Sequence, residues 1–254
     1  MSSTPKIALI TGGSRGLGRN AARHLAQSGH DIVLTYRTRA DEARAAVAEI
    51  EALGRRAVAL PLDTGQVASF PAFAEALAAA LQQHWQRDTF DFLVNNAGID
   101  ARGLFADMTE EAFDALLNVH FKGVYFLTQR LLPLLADGGG IVNFSTGLAR
   151  FTTPGYSAYA AMKGAVETLT KYLAKELGSR GIRCNVVAPG IIKTDFTAAA
   201  REAHPELETY MAGQTALGRI GEPDDVGGVV AFLCSDAARW VNAQRIEASG
   251  GYAL

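Results

Sequence analysis

Ile7-Ala8-Leu9-Ile10-Thr11-Gly12-Gly13-Ser14-Arg15-Gly16-Leu17-Gly18 is a short apolar run that breaks into glycines and then opens a helical pattern. An apolar run without polar alternation reads as a strand buried on both faces of a parallel sheet. Glycines after such a strand let the backbone turn tightly and come close to a pyrophosphate, whose charge then meets the N-terminus of the next helix. The stretch therefore predicts a strand, a turn and a helix that bind a dinucleotide, with Gly12, Ser14, Arg15, Gly16, Leu17 and Gly18 at the contact. It does not match Gly-x-Gly-x-x-Gly, and Arg19-Asn20 stand where a phosphate loop of the Walker type needs Lys and Ser or Thr, which argues against ATP hydrolysis.

The same alternation continues outward. Ile32 to Thr35, Ala57 to Leu60, Phe92 to Val94, Ile141 to Phe144 and Arg183 to Ala188 read as further buried strands, and Gln244 to Glu247 as a last one. Helix-length patterns lie between them at Leu17 to Ser28, Asp41 to Leu53, Phe70 to Trp85, Glu110 to Leu135 and Ser157 to Leu177. Repeated strand-helix-strand units predict an α/β fold, a single-domain Rossmann-like doubly wound parallel sheet with helices on both faces. The 254 residues, 48% hydrophobic and with no composition break, fit one domain over residues 1–254. Thr194 to Ala216, polar and interrupted by Pro205 and Gly213, reads as a substrate lid.

A formal net charge of −2 offers no basic footprint for nucleic acid or an anionic membrane, so a small-molecule partner is expected. No segment has the apolar length of a membrane span, and Met1 to Pro5 is too short for a signal peptide, which predicts a cytoplasmic protein. Cys184 and Cys234 each lie in an apolar run and read as buried free thiols; no Cys and His cluster has metal-ligand spacing.

Tyr159 and Lys163, in Tyr156-Ser157-Ala158-Tyr159-Ala160-Ala161-Met162-Lys163, are four residues apart, so a helix stacks phenol beside ammonium. Bringing a phenol from about 10 to about 7 takes roughly 4 kcal/mol, and a cation about 4 Å away at an effective dielectric of about 20 supplies that much. Ser157 is the candidate cap, which places Tyr159 near the positive end of the helix dipole.

Thr11-Gly12-x-x-x-Gly16-x-Gly18, Asn95-Asn96-Ala97-Gly98, Tyr159-x-x-x-Lys163 and Pro189-Gly190 together resemble the short-chain dehydrogenase/reductase family over nearly the whole chain, close to its 3-oxoacyl-thioester reductase-like members. The resemblance implies NAD(P)-dependent interconversion of a carbonyl and an alcohol, with Tyr159 as general acid or base and Lys163 on the nicotinamide ribose. It also implies that Asp63 contacts the adenine, that Asn96, Ala97 and Gly98 pass beside the cofactor, and that Pro189, Gly190, Ile192 and Thr194 hold the nicotinamide end. Homo-oligomers, dimer or tetramer, built on the long helices are implied as well.

The second strand ends Thr35-Tyr36-Arg37-Thr38-Arg39, with Tyr36 where an NAD enzyme places a carboxylate for the ribose. With Arg37 and Arg15 nearby, NADP(H) is the expected cofactor and NAD(H) the alternative. The chain departs from the family pattern twice. The hydroxyl that polarises the carbonyl, thirteen residues before the Tyr, is Thr146, with Ser145 beside it as the other candidate; the helix Asn of the proton relay aligns with His120. A histidine there titrates near its reference pKa of about 6.5, which predicts an acid-side fall in turnover. The expected activity is NADPH-dependent carbonyl reduction. The alternatives are an NAD-dependent alcohol, polyol or sugar dehydrogenase and a non-catalytic NADP-binding regulator. Phe151, Tyr156, Phe196 and Met211 are candidate pocket residues.

Overall fold

The computed structural model describes residues 5–195 and 206–254. Within them the strands are β1 (Ile7–Ile10), β2 (Asp31–Tyr36), β3 (Ala57–Pro61), β4 (Phe90–Asn95), β5 (Leu135–Phe144), β6 (Arg183–Pro189) and β7 (Arg245–Ala248). The helices are α1 (Gly16–Gln27), α2 (Ala40–Ala52), α3 (Phe70–Trp85), α4 (Glu110–Leu117), α5 (Gly123–Leu131), α6 (Ser157–Glu176), α7 (Glu206–Gly213) and α8 (Asp224–Leu233). All strand pairs are parallel, in the order β3-β2-β1-β4-β5-β6-β7. The order reverses between β1 and β4, so a crevice opens at the carboxyl ends of those two strands, and every predicted site residue after a strand faces that end.

Two apolar layers explain why the strand sequences lack alternation. Ala8, Ile10, Ile32, Leu34, Phe92 and Val94 pack under α1, α2 and α8, while Ile7, Leu9, Val33, Leu93 and Ile141 pack under α3 and α5 on the other face. Both cysteine thiols are free and buried, and burial pushes each up to about 12.

Two elements differ from the sequence reading. The stretch predicted as one helix from Glu110 to Leu135 is α4, a π-helical turn over Asn118–Lys122, α5 and a 3₁₀ turn over Leu132–Leu134. Pro133 has no N–H to continue α5, and β5 takes over at Leu135. Helix α8, with its Gly227-Gly228 pair, carries little helical signal of its own; it forms because Gly227 lets it sit directly on Asn20 and His24 of α1. Within the region read as a lid, α7 is present, while Phe196 lies outside the described residues.

Candidate active site

The turn after β1 is held by two side chains bonded to backbone groups. The Thr11 hydroxyl accepts from the N–H groups of Asn96 and Ala97, both at 3.0 Å, and the Asn96 side-chain amide donates to the carbonyls of Thr11 (2.9 Å) and Gly12 (3.1 Å). A Cβ on Gly18 would collide with the Gly12 carbonyl and the Asn96 amide, so the start of α1 presses against the turn as only glycine allows. Gly12 and Gly16 have φ of 65° and 54°, and the space around Gly16 is open for 4 Å. Asn96 was expected beside a cofactor; its side chain is spent on the turn itself.

The N-terminus of α1 has no side-chain cap and no acidic residue in its first turn. Helix α4 differs, with Thr109 accepting from the Ala112 N–H and Glu110 and Glu111 following. The uncompensated N–H groups of α1 could hold an anion. A groove of ≈ 300 Å³ joins that end, at Gly16, to Lys193 and Thr194 beyond β6. Arg15 reaches Asp195, which lines the groove, at 3.4 Å, and Arg37 is exposed just beyond β2. Asp63 caps its own turn through the Gly65 N–H at 2.9 Å. Gly190 lies against Ser249 and donates to the Ala248 carbonyl at 3.0 Å, which ties the end of β6 to β7. Ile192, bridged to Gly221, is buried.

On the other side of the crevice, α6 begins at Ser157, which is its first helical residue and not its cap; Tyr159 falls in the first turn. The Tyr159 side chain is partly buried against Leu116, Ala158 and Met162, and desolvation raises its phenol above its ordinary value, with Asp100 adding to the rise. Lys163 is 5% exposed, donates to the Phe144 carbonyl at 2.7 Å, and lies 5.8 Å from the centre of the Tyr159 ring. Burial lowers it to about 8. The expected tuning of the phenol toward neutrality is therefore corrected: desolvation outweighs an ammonium that is turned onto a carbonyl.

The two candidate hydroxyls have different partners. Ser145, buried, donates to Glu167 at 2.6 Å. Thr146 stays at the surface of the crevice, and its oxygen accepts from the Leu148 N–H at 3.3 Å, which directs the hydroxyl proton elsewhere as a donor.

His120 is 1% exposed and stands edge-on to Tyr159, ring centres 5.0 Å apart. Its Nε2 faces the Ile99 backbone, 2.8 Å from the carbonyl and 3.2 Å from the N–H. The shorter contact puts the proton on Nε2 and leaves Nδ1 an acceptor, a buried atom with no partner among the described residues. The π-helical turn and Gly98, against whose Cα the ring lies, bring it there. Burial and then Lys163 lower its pKa to about 3. The expected titration near 6.5 is overturned, since a cation cannot be accommodated beside Lys163 without water.

Of the candidate pocket residues, Tyr156 borders an apolar cavity of ≈ 300 Å³ with Leu104, Phe105, Leu148 and Pro154, and the Arg102 guanidinium lies 5.0 Å from its ring. Phe151 and Met211 instead gather on Tyr252, the first by ring contact at 5.0 Å and the second by accepting its hydroxyl at 3.1 Å. Sequence reading missed Glu167 and Arg245. Glu167 had a faint signal, lying four residues past Lys163 on α6; Arg245 had none.

Comparison with known proteins agrees with this geometry. The family model described as enoyl-(acyl carrier protein) reductase matches residues 12–253. A 3-oxoacyl-(acyl-carrier-protein) reductase of Staphylococcus aureus is 37% identical over 248 residues, covering 97% of each chain. Among solved structures, the promiscuous reductase LugOII, which catalyses keto-reduction at C1 during lugdunomycin biosynthesis, is 37% identical with a TM-score of 0.93 over 100% of both chains. The angucycline C-6 ketoreductase LanV, solved with bound NADP, is 37% identical with a TM-score of 0.92, covering 98% of this chain and 96% of its own.

Proposed function

Because this chain belongs to the short-chain dehydrogenase/reductase family, a family of NAD(P)-dependent oxidoreductases, we propose that it is an NADPH-dependent carbonyl reductase. The observation that carries it is the joint geometry at the head of α6, where Tyr159 lies in the first turn with the Lys163 ammonium 5.8 Å from its ring centre and with His120 edge-on at 5.0 Å, so that a protonated phenol stands ready to act as an acid. NADPH supplies a hydride to the carbonyl carbon when bound. Tyr159 gives its proton to the oxygen as negative charge develops there, and the Thr146 hydroxyl donates a hydrogen bond to the same oxygen. Lys163, beneath the Tyr159 ring, holds the ribose. His120 fixes the ring of Tyr159 by its edge contact and offers Nδ1 as a neutral acceptor to the proton path toward Lys163. Ser14, Gly16, Leu17 and the α1 terminus take the pyrophosphate; Arg15 and Arg37 take the 2′-phosphate; Asp63 and Ala97 line the adenosine side; Pro189, Gly190, Ile192 and Thr194 hold the carboxamide end. The NADP bound to LanV supports this cofactor.

The same reading makes the protein a cytoplasmic single-domain enzyme that works as a homo-oligomer. No described helix is long and apolar enough to cross a membrane, and Phe113, Tyr125, Phe126 and Tyr172 are exposed on α4, α5 and α6. The test is loss of NADPH absorbance on mixing with panels of ketones, aldehydes and acyl thioesters, with NADH in parallel. Turnover with NADPH is expected. A preference for NADH, or oxidation of alcohols without any ketone reduction, would replace the proposal with a dehydrogenase; binding of NADPH without turnover of any compound would replace it with a regulator.

A further inference from the structure

Arg245, at the start of β7, commits each nitrogen of its guanidinium to a different element. Nε donates to Glu167 at 2.7 Å, Nη1 to Glu247 at 3.0 Å and Nη2 to the Thr146 carbonyl at 3.0 Å. Glu167, on α6 one turn beyond Lys163, uses the same oxygen to accept from Ser145 at 2.6 Å. One planar fork thus joins the end of β5, the helix that carries Tyr159 and Lys163, and β7. The side chains of Arg245 and Glu167 are 23% and 20% exposed, which limits competition from water. Glu247 passes the connection on to Arg150, at 3.2 Å, and Arg150 donates to the Tyr252 carbonyl at 3.1 Å.

What this fork holds is the residue with the free hydroxyl proton. Thr146 is extended, with φ of −158° and ψ of 156°, and caps the 3₁₀ turn Gly147–Ala149. Its Oγ1 is oriented by the Leu148 N–H, and its carbonyl accepts from both Ala149 and Arg245. Rotation of that carbonyl would swing the hydroxyl away from the oxygen that Tyr159 serves. A lysine has charge without the rigid fork and cannot bridge the three partners in one plane.

We propose that Arg245, oriented by Glu167, is a positioning residue for the hydrogen bond that Thr146 gives to the substrate oxygen. The inference rests on the reading of Thr146 as that donor. Arg245→Lys and Glu167→Gln, each made alone and in a Thr146→Val background, separate positioning from general stabilisation. Each single variant should lower kcat about tenfold with NADPH affinity retained, and should cost almost nothing once the Thr146 hydroxyl is gone. Backbone hydrogen exchange needs no substrate: the Leu148 and Ala149 amides should exchange about tenfold faster in Arg245→Lys while the rest of α6 is unchanged. Equal losses of kcat in both backgrounds, or unchanged exchange at Leu148 and Ala149, overturn the proposal. If Arg245→Lys does not fold, Glu167→Gln, which keeps the shape of the side chain, decides it by the same readouts. A wild type that reduces no carbonyl removes the role of Thr146, and the exchange rates still report whether Arg245 holds the segment.

Discussion

At the turn after β1 the close contacts are made on backbone atoms: Gly18 against the Gly12 carbonyl, and the Asn96 side-chain amide on the carbonyls of Thr11 and Gly12. At the head of α6 they are made by side chains largely withdrawn from water, with His120 edge-on to Tyr159, Lys163 on the Phe144 carbonyl and Ser145 on Glu167. The first region is determined by where side chains are absent and the second by which side chains are kept out of water. Damage should therefore differ in kind. A methyl group added to the turn disturbs shape and cofactor binding together, whereas removal of a functional group at α6 stops chemistry while the shape survives.

The strongest test of that contrast is Tyr159→Phe. It keeps the ring that His120 packs against and removes the proton donor, so kcat should fall by roughly 10² to 10⁴. NADPH binding, followed by fluorescence, and Tm should be preserved; near-normal turnover would take Tyr159 out of its role.

Next in size is the cost of keeping His120 uncharged. Its folded pKa of about 3 lies below the unfolded value of 6.5, so protons bind the unfolded chain preferentially below 6.5. Stability from this group is present above that pH and is lost as the pH falls toward about 3. His30, also buried and lowered by desolvation, adds a loss of the same sign. Between pH 7 and 4 the wild type should lose about 3 kcal/mol more than His120→Asn, measured by denaturant unfolding. Turnover should show no step from His120 between pH 5 and 8, and a step there that vanishes in His120→Asn would mean the imidazole is more hydrated than its burial indicates.

A smaller effect is expected on the cofactor rim. Arg37→Ala should weaken NADPH relative to NADH by roughly tenfold to a hundredfold, the worth of a charge-assisted bond to phosphate at about 1.5 to 3 kcal/mol. Equal losses for both cofactors would assign Arg37 to the loop instead. Smallest in energy is Gly18→Ala, which forces the turn and α1 apart at roughly 1 to 3 kcal/mol. Tm and NADPH affinity should fall together in this variant; a fall in turnover alone would erase the distinction between the two regions.

Much of this molecule is legible in the chain because the features are local. β1, β2, β4, β5 and β6 each contain a short apolar run whose burial on both faces is legible by itself, while β3, read as a buried strand, is an edge strand that stays partly exposed. The glycine turn and the Tyr159-Lys163 spacing are likewise short-range geometry. Helix α8 was not legible, since its place depends on Gly227 meeting α1 some 200 residues earlier in the chain. Nor was the π-helical turn, whose effect is to rotate His120 under Tyr159.

By itself the sequence determined the order of elements, the parallel sheet, the position of the glycine turn, and the pairing of a phenol with an ammonium on one helix, because each follows from residue spacing and backbone freedom. Tertiary structure alone decided the electrostatics of that pairing. It partly buried Tyr159 and turned Lys163 onto the Phe144 carbonyl, so that desolvation raises the phenol where spacing alone predicted a fall. It also committed the Ser145 hydroxyl to Glu167, and brought Arg245 to the Thr146 carbonyl across 99 residues. Desolvation and long-range hydrogen bonds depend on what surrounds a group in three dimensions, and a chain read in order does not contain that neighbourhood.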